Sequence, residues 1–438
     1  MPVTTLYGGA RRAKGWVGVL DNEPSPVVCS PSPVPAERRS AEAIADARSE
    51  RRLPGGMFAA HECVLTNARI VTADAVFIGT VQVRGGRIAD IDAGTTGLSS
   101  VIDLQGDYLL PGLVDVHTDN LERHLQPRPG VVWPSAGALI AHDRQIAAAG
   151  ITTVFDSLCV GDRDRGSAGR PVSVIESLRA MERAQADGLL NSEHILHLRC
   201  EVSAEGVVES LGALIDDPSV RLVSLMDHTP GQRQWTDLAN WRRFQRGNDL
   251  SDGDLQVIYD QRTSRGADLA DAVRVQVAQM CRQRRLALAS HDDANVDHVL
   301  QAADLGVTIS EFPTTAAAAR AARCEGMRVV MGAPNMVLNG SHSGNVSARE
   351  LVAAGLVDGL ASDYVPNSLI QACFLCHQLL GMPLPAASAL VSAAPAAMVG
   401  LDDRGVIAPG KRADLLHVRL HGHMPVVCGV WRRGERVA

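Results

Sequence analysis

Pro111-Gly112-Leu113-Val114-Asp115-Val116-His117-Thr118-Asp119 is the stretch on which the fold reading turns. A Pro-Gly turn signal precedes a short, β-branched apolar run, and the run ends in an imidazole and a carboxylate. That is the profile of a buried strand delivering polar side chains at its C-terminal end. Further along, similar short runs recur at 152–155, 195–200, 220–226, 286–290, 307–310, 328–331 and 359–362, each followed by a helix-compatible, often Ala-rich segment. Eight strands alternating with helices predict an α/β fold of the distorted (β/α)8 barrel type. The span from His228 to His291 is too long for one crossover, and Trp235, Trp241 and Phe244 within it predict a helical insertion or lid.

On the N-terminal side, runs at 64–71, 76–83 and 88–91 surround Gly85-Gly86 and predict a small antiparallel β unit. Residues 1–56, with Pro24-Ser25-Pro26, Pro31-Ser32-Pro33 and Arg51-Arg52, lack periodicity and read as a disordered extension. After residue 400 the β character returns at 405–416 and 426–430. The economical organisation is a small β-sandwich built from 57–110 and 401–438, interrupted by a barrel over 111–400.

Composition removes several function classes. The 438 residues are 46% hydrophobic and 21% charged, with no uncharged apolar run long enough to span a bilayer. A net charge of -7 offers no general field for a nucleic-acid backbone, so a polyanionic small substrate requires a local pocket. Nine irregularly spaced cysteines suit reduced thiols rather than a disulfide framework. The apolar run from Trp16 to Leu20 is too short for a secretory core, and a cytoplasmic location is expected. A homodimer is the assembly held open.

In barrels of this type, polar residues at the C-terminal strand ends share one mouth. His117 and Asp119 stand two apart on the first strand, so on extended chain they face the same way. Glu201, His228, His291 and Asp363 each follow a later strand. Any one of them has an ordinary structural reading, a helix cap for Asp363 or a satisfied core group for a histidine. Six on five strand ends form a set able to hold one or two divalent ions. Zn is favoured, and Mn, Fe or Co is accepted by the same ligand types. Two ions need an anionic bridge. The only lysines, Lys14 and Lys411, lie outside the barrel, which leaves Glu201, or less favourably Cys200. Two other patterns carry no function: Cys373-Phe374-Leu375-Cys376-His377 matches a haem-attachment spacing but sits in an apolar helical stretch, and His421 and His423 belong to the returning β segment.

With these residues in place, the Pro111–His117 arrangement, the later histidines and Asp363 resemble the amidohydrolase superfamily. Its usual His-x-His on the first strand is here His117-Thr118-Asp119. The longer run His117-Thr118-Asp119-Asn120-Leu121-Glu122-Arg123-His124, then Pro127-Arg128-Pro129-Gly130-Val131 and Trp133-Pro134, resembles the alpha-D-ribose 1-methylphosphonate 5-triphosphate diphosphatases of the carbon-phosphorus lyase pathway. Ala149-Gly150-Ile151-Thr152-Thr153-Val154-Phe155-Asp156 and Gly340-Ser341-His342-Ser343-Gly344-Asn345 extend that likeness over most of 60–438.

The resemblance implies hydrolysis of a phosphoanhydride, releasing diphosphate from a phosphonylated ribose triphosphate. Such a reaction needs an activated water and neutralisation of phosphoryl oxygens. Asp363 is the expected proton-transfer residue. Arg123, Arg128 and Arg144, with His124 of the same motif, are expected to meet phosphates. Ser341, His342, Ser343 and Asn345 lie in a segment of small residues that suits an anion nest. The rival readings are a hydrolase of a cyclic amide or N-acyl substrate, opposed by Asp119 and the arginine-rich first loop, and a non-catalytic assembly component, opposed by the complete ligand set.

Overall fold

The computed structural model describes residues 62–438 except 129, 162–173, 234–237, 239–240, 243–250, 265 and 342–343. The expected extension over 1–56, Trp235 and Phe244 of the expected lid, and His342 and Ser343 of the expected nest lie outside the described residues.

Eight parallel strands run in chain order around the barrel: β6 (Leu113–Thr118), β7 (Ile151–Val160), β8 (Glu193–Glu201), β9 (Val220–Met226), β10 (Ala287–His291), β11 (Ile309–Glu311), β12 (Arg328–Gly332) and β13 (Gly359–Ala361). Helices occupy the crossovers, among them Ser135–Ala148, Val296–Asp304 and Ala316–Cys324. Local chemistry starts the last two. The side chains of Asn295 and Thr315 accept hydrogen bonds from the amides of His298 and Ala318, satisfying donors that the first helical turn leaves open. Small Ala318, Ala319 and Ala322 then face the strands.

Alternation along the strands separates two cores. Phe155, Ile195, Leu222, Ala289, Ile309, Val330 and Ala361 fill the barrel interior, while Val154, Leu196, Leu198 and Cys200 pack outward against helices. Full burial of such side chains contributes about 1.5–3 kcal/mol each relative to exposure. Between β6 and β13 there is no continuous ladder. Closure comes from Asp119 N donating to Asp363 O at 3.0 Å, Asp363 N donating to His117 O at 3.0 Å, and Ser362 N donating to the Asp115 carboxylate at 3.0 Å.

Both ends of the described chain enter one further sheet, ordered β16-β15-β14-β5-β1-β2-β3, with β4 beside β1. Its strands are β1 (Cys63–Val71), β2 (Val76–Arg84), β3 (Arg87–Ala93), β4 (Ile102–Asp103), β5 (Tyr108–Pro111), β14 (Leu415–His421), β15 (Met424–Arg432) and β16 (Glu435–Arg436). The sheet curls back so that Leu65, Val81, Ile88, Leu415 and Trp431 share one core. Gly112 joins sheet to barrel, and a Cβ there would stand 2.4 Å from Thr152 Oγ1, so no larger residue fits the crossing. One expectation needs correction. The stretch 405–414 is not a strand, because Gly405 and Gly410 hold φ of +85° and +82°, and before Leu415 it makes only an isolated bridge between Arg412 and Arg87. The short β4 and β5 lie between the expected β runs.

Candidate active site

The C-terminal strand ends gather imidazoles and carboxylates, but not by simple alternation on the first strand. Asp115 pairs with Val154 and Thr118 with Asp156, so three steps of β6 match two of β7. This bulge turns His117 inward, a common role for bulges beside active sites. Asp119 has already left the strand, with φ -95° and ψ 9°, and stands at the N-cap position of the helix Asn120–Leu125 without a side-chain capping bond. The two residues converge through a bulge and a helix start, not through the extended chain assumed from sequence.

His117 is 1% exposed, and its ring meets those of His197 at 5.0 Å, His291 at 5.5 Å and Phe312 at 4.9 Å between centroids. Burial, aided by the charges of Arg199 and His291, holds its pKa well below the ordinary histidine value, so the ring is neutral, as a metal ligand must be. Glu201 ends β8. Its Oε2 lies 2.9 Å from His228 Nδ1, and its Oε1 accepts from His228 N at 3.1 Å and from Ser203 Oγ at 2.7 Å. The rings of His228 and His291 are 6.1 Å apart. Cys200, the alternative bridge, faces the outer core, and burial pushes its thiol well above the usual range.

Asp363 is raised to about 8 by burial and by the neighbouring charge of Asp119. Two carboxylates driven together among imidazoles are a donor set that a divalent cation would relieve. His291 supports the same fit, since its Nε2 is buried with no hydrogen-bond partner while its Nδ1 stands 2.9 Å from Asp292 Oδ2. His228, His291 and Asp292 bring ligand atoms within 4.8 Å of one another. Three residues at the mouth hold left-handed backbone: Asp292 at φ +57°, Phe312 at +53° and Asp363 at +55°. Such strain in non-glycine residues clusters at functional sites.

The expected phosphate-facing residues divide. Arg123 lies beside the ligands and donates to Tyr364 O at 2.9 Å. Arg128 is exposed in the loop after Asn120–Leu125 and bridges to Val131. Ser341 and Asn345 follow the helix Ala333–Leu338, and Val346 ties their segment to Thr314 O. His124 turns instead toward Gln145, donating to its Oε1 at 2.9 Å. Arg144 is not brought to the mouth. It is half-exposed and reaches Asp143 of its own helix and Leu189 O in the turn that enters the N-terminal end of β8.

Four further residues belong to this site. Glu311, Asp292, Arg199 and His197 are all buried. Arg199 donates to Glu122 Oε2 at 2.9 Å and stands on the same face of β8 as Glu201. The spacing Ile309/Glu311 repeats that of Ala289/His291, and this alternation was the signal available for Glu311. The haem-like spacing is accounted for by packing: Cys373 and Cys376 are buried in the core, and His377 Nδ1 donates to Met382 O at 2.8 Å. Among the described residues Cys63, Cys200, Cys281, Cys373, Cys376 and Cys428 carry free thiols.

An eight-stranded barrel with an imidazole and carboxylate mouth, joined to a sheet from both chain ends, defines a metal-dependent hydrolase architecture. The chain belongs to the amidohydrolase family, whose model matches residues 144–437. It is 42% identical over 378 residues to the alpha-D-ribose 1-methylphosphonate 5-triphosphate diphosphatase of Escherichia coli (strain K12), across 85% of this chain and 100% of that one. Among solved structures, 5-methylcytosine deaminase from Klebsiella pneumoniae superposes with TM-score 0.60 at 14% identity, covering 86% of this chain and 97% of that one. Dihydropyrimidinase from Brevibacillus agri does so with TM-score 0.56 at 13% identity, covering 86% and 95%. These last two likenesses concern the fold.

Proposed function

We propose that this hydrolase releases diphosphate from alpha-D-ribose 1-methylphosphonate 5-triphosphate in phosphonate catabolism. The observation that carries the reading is the 42% identity extending over the full length of the curated diphosphatase. His117, Asp119, Glu201, His228, His291 and Asp363 would hold one or two divalent ions, with Zn favoured and Mn, Fe or Co accepted by such mixed ligands. A bound divalent ion would supply a more acidic water and offset charge on phosphoryl oxygens.

The chain's own residues supply the rest. Asp363 would take a proton from the attacking water and return it to the leaving side, and Glu201, fixed by Ser203 and His228, would hold its carboxylate toward the ions. Arg123 and Arg128 would bind the triphosphate, and the 341–345 segment would add small polar donors to its anionic end. Among the described residues no helix is long and apolar enough to cross a membrane. A cytoplasmic site of action fits the free thiols.

Incubation of the full chain with the ribose 5-triphosphate, following diphosphate by phosphorus NMR, is the direct test. One equivalent of diphosphate per turnover, abolished by chelation and restored by zinc, is expected. Release of inorganic phosphate alone, or hydrolysis of a cyclic amide in its place, would overturn the reading.

A further inference from the structure

Glu311 ends β11 and is fully buried, yet the proposed chemistry assigns it no part. Its Oε1 lies 3.1 Å from His117 Nδ1, and its Oε2 has no hydrogen-bond partner. The Nε2 of His197 stands 3.8 Å from the same oxygen, beyond hydrogen-bond reach. Both ring nitrogens of His197 have nearer partners: Nδ1 lies 3.0 Å from Ser157 Oγ and 3.1 Å from Val116 O, and Nε2 lies 2.9 Å from Ser224 Oγ.

The Glu311 carboxylate is thus left to His117. A carboxylate accepts, so His117 Nδ1 donates to it, which leaves Nε2 as the ring nitrogen that can offer a lone pair. The next residue, Phe312, completes the setting. Its backbone is left-handed, at φ +53°, and its amide is tied to Val330 O at 2.8 Å. Its ring stands edge-on to His117, at 4.9 Å and 72°, and to His291, at 5.3 Å and 87°. A bulky residue adopts that backbone only when its surroundings hold it there.

We propose that Glu311 is a positioning residue that fixes the tautomer and orientation of His117, with Phe312 as the wedge behind the ring, so that Nε2 serves as the metal ligand. The proposal rests on the metal-centre reading and adds an outer carboxylate to it. Partners of this kind typically change metal affinity 10–100-fold when removed.

The test uses the full chain with Glu311→Gln, which keeps a neutral acceptor of the same shape, and Glu311→Met, which keeps volume and removes the acceptor. Zinc affinity is measured by chelator competition, and the His117 tautomer by nitrogen-15 histidine NMR of the zinc-loaded protein. Glu311→Met is expected to bind zinc about 10–100-fold more weakly than wild type. Glu311→Gln should stay within about tenfold, retain the Nδ1-protonated form, and carry the test alone if the Met variant does not fold. Wild-type affinity and an unchanged His117 tautomer in Glu311→Met would overturn the positioning role. So would loss of zinc by Glu311→Gln beyond tenfold, which would make Glu311 a ligand in its own right. Wild-type protein that takes up no zinc, manganese, iron or cobalt would instead sink the metal-centre reading on which the proposal stands.

Discussion

Two clusters of imidazoles and carboxylates, one outside the barrel wall and one in its mouth, are finished differently. Outside the barrel, His142 Nε2 meets Asp156 Oδ1 at 2.7 Å and His194 Nδ1 meets Asp156 Oδ2 at 2.7 Å. His194 Nε2 reaches Asp143 Oδ1 at 3.2 Å, and His142 Nδ1 reaches Asn120 Nδ2 at 3.0 Å. Asp143 also accepts from the amides of Asn191 and Ser192. Every ring nitrogen of that cluster has a protein partner. In the mouth, His291 Nε2 and Glu311 Oε2 have none. Clustered titratable groups are therefore not by themselves a functional site, and a set of buried lone pairs aimed at a common place is the more discriminating sign.

The largest expected effect of separating the two clusters lies in the mouth. Asp363→Asn should retain much of its metal while turnover falls by about 10² or more, the range for loss of general acid–base help. Turnover and elemental analysis on the same sample check this. Near wild-type turnover would remove Asp363 from proton transfer, whereas joint loss of metal and activity would show a ligand first.

The opposite pattern is expected outside the barrel. His194→Leu leaves Asp143 and Asp156 buried without their cation, which for broken buried pairs costs about 3–5 kcal/mol. Metal content per folded molecule should not change. Denaturant melts alongside zinc titration separate the two effects, and a variant that loses metal without losing stability would place this cluster in the site.

A pH dependence sharpens the same contrast. Burial alone would lower His194, but Asp156 and Asp143 outweigh it and raise its pKa to about 9. The stabilisation is then fully present below about 6.5, the unfolded value, and is lost as pH rises through about 9. Asp156 is held far below its ordinary value, against burial, by His194 and His142, so its share is present above the unfolded carboxylate pKa and fades as pH falls through the acid range below it. Melting temperature followed from pH 6 to 10 should fall more steeply for wild type than for His194→Leu. Parallel curves would count against the charged pair.

The smallest effect is expected for Arg144→Ala, whose half-exposed ion pair with Asp143 lies away from the mouth. KM and kcat should both stay within about twofold of wild type, as for most surface changes. A selective rise in KM would return Arg144 to the substrate site.

Much of the fold was legible because its signals are local. The expected strand at 220–226 coincides with β9, and the other seven barrel strands lie where short apolar runs occur. The small sheet was less legible at 405–414, where two left-handed glycines interrupt a β-like composition. In the site, His291 and Glu311 occupy equivalent positions on neighbouring strands, yet only the histidine stands out in the sequence, since a glutamate just past the run 307–310 looks like an ordinary loop acid.

The sequence by itself determined the barrel, the end of it that carries the polar residues, and the residue types gathered there, since strand alternation and turn chemistry act over two to four neighbours. Tertiary structure alone decided that a β-bulge turns His117 inward, that Asp119 reaches the mouth from a helix start, and that Arg144 points to the other end. It also decided which ring nitrogens are occupied. The partner of His117 Nδ1 is 194 residues away along the chain. A histidine's tautomer is set by the acceptor that packing places against it, and no local pattern in the sequence encodes that acceptor.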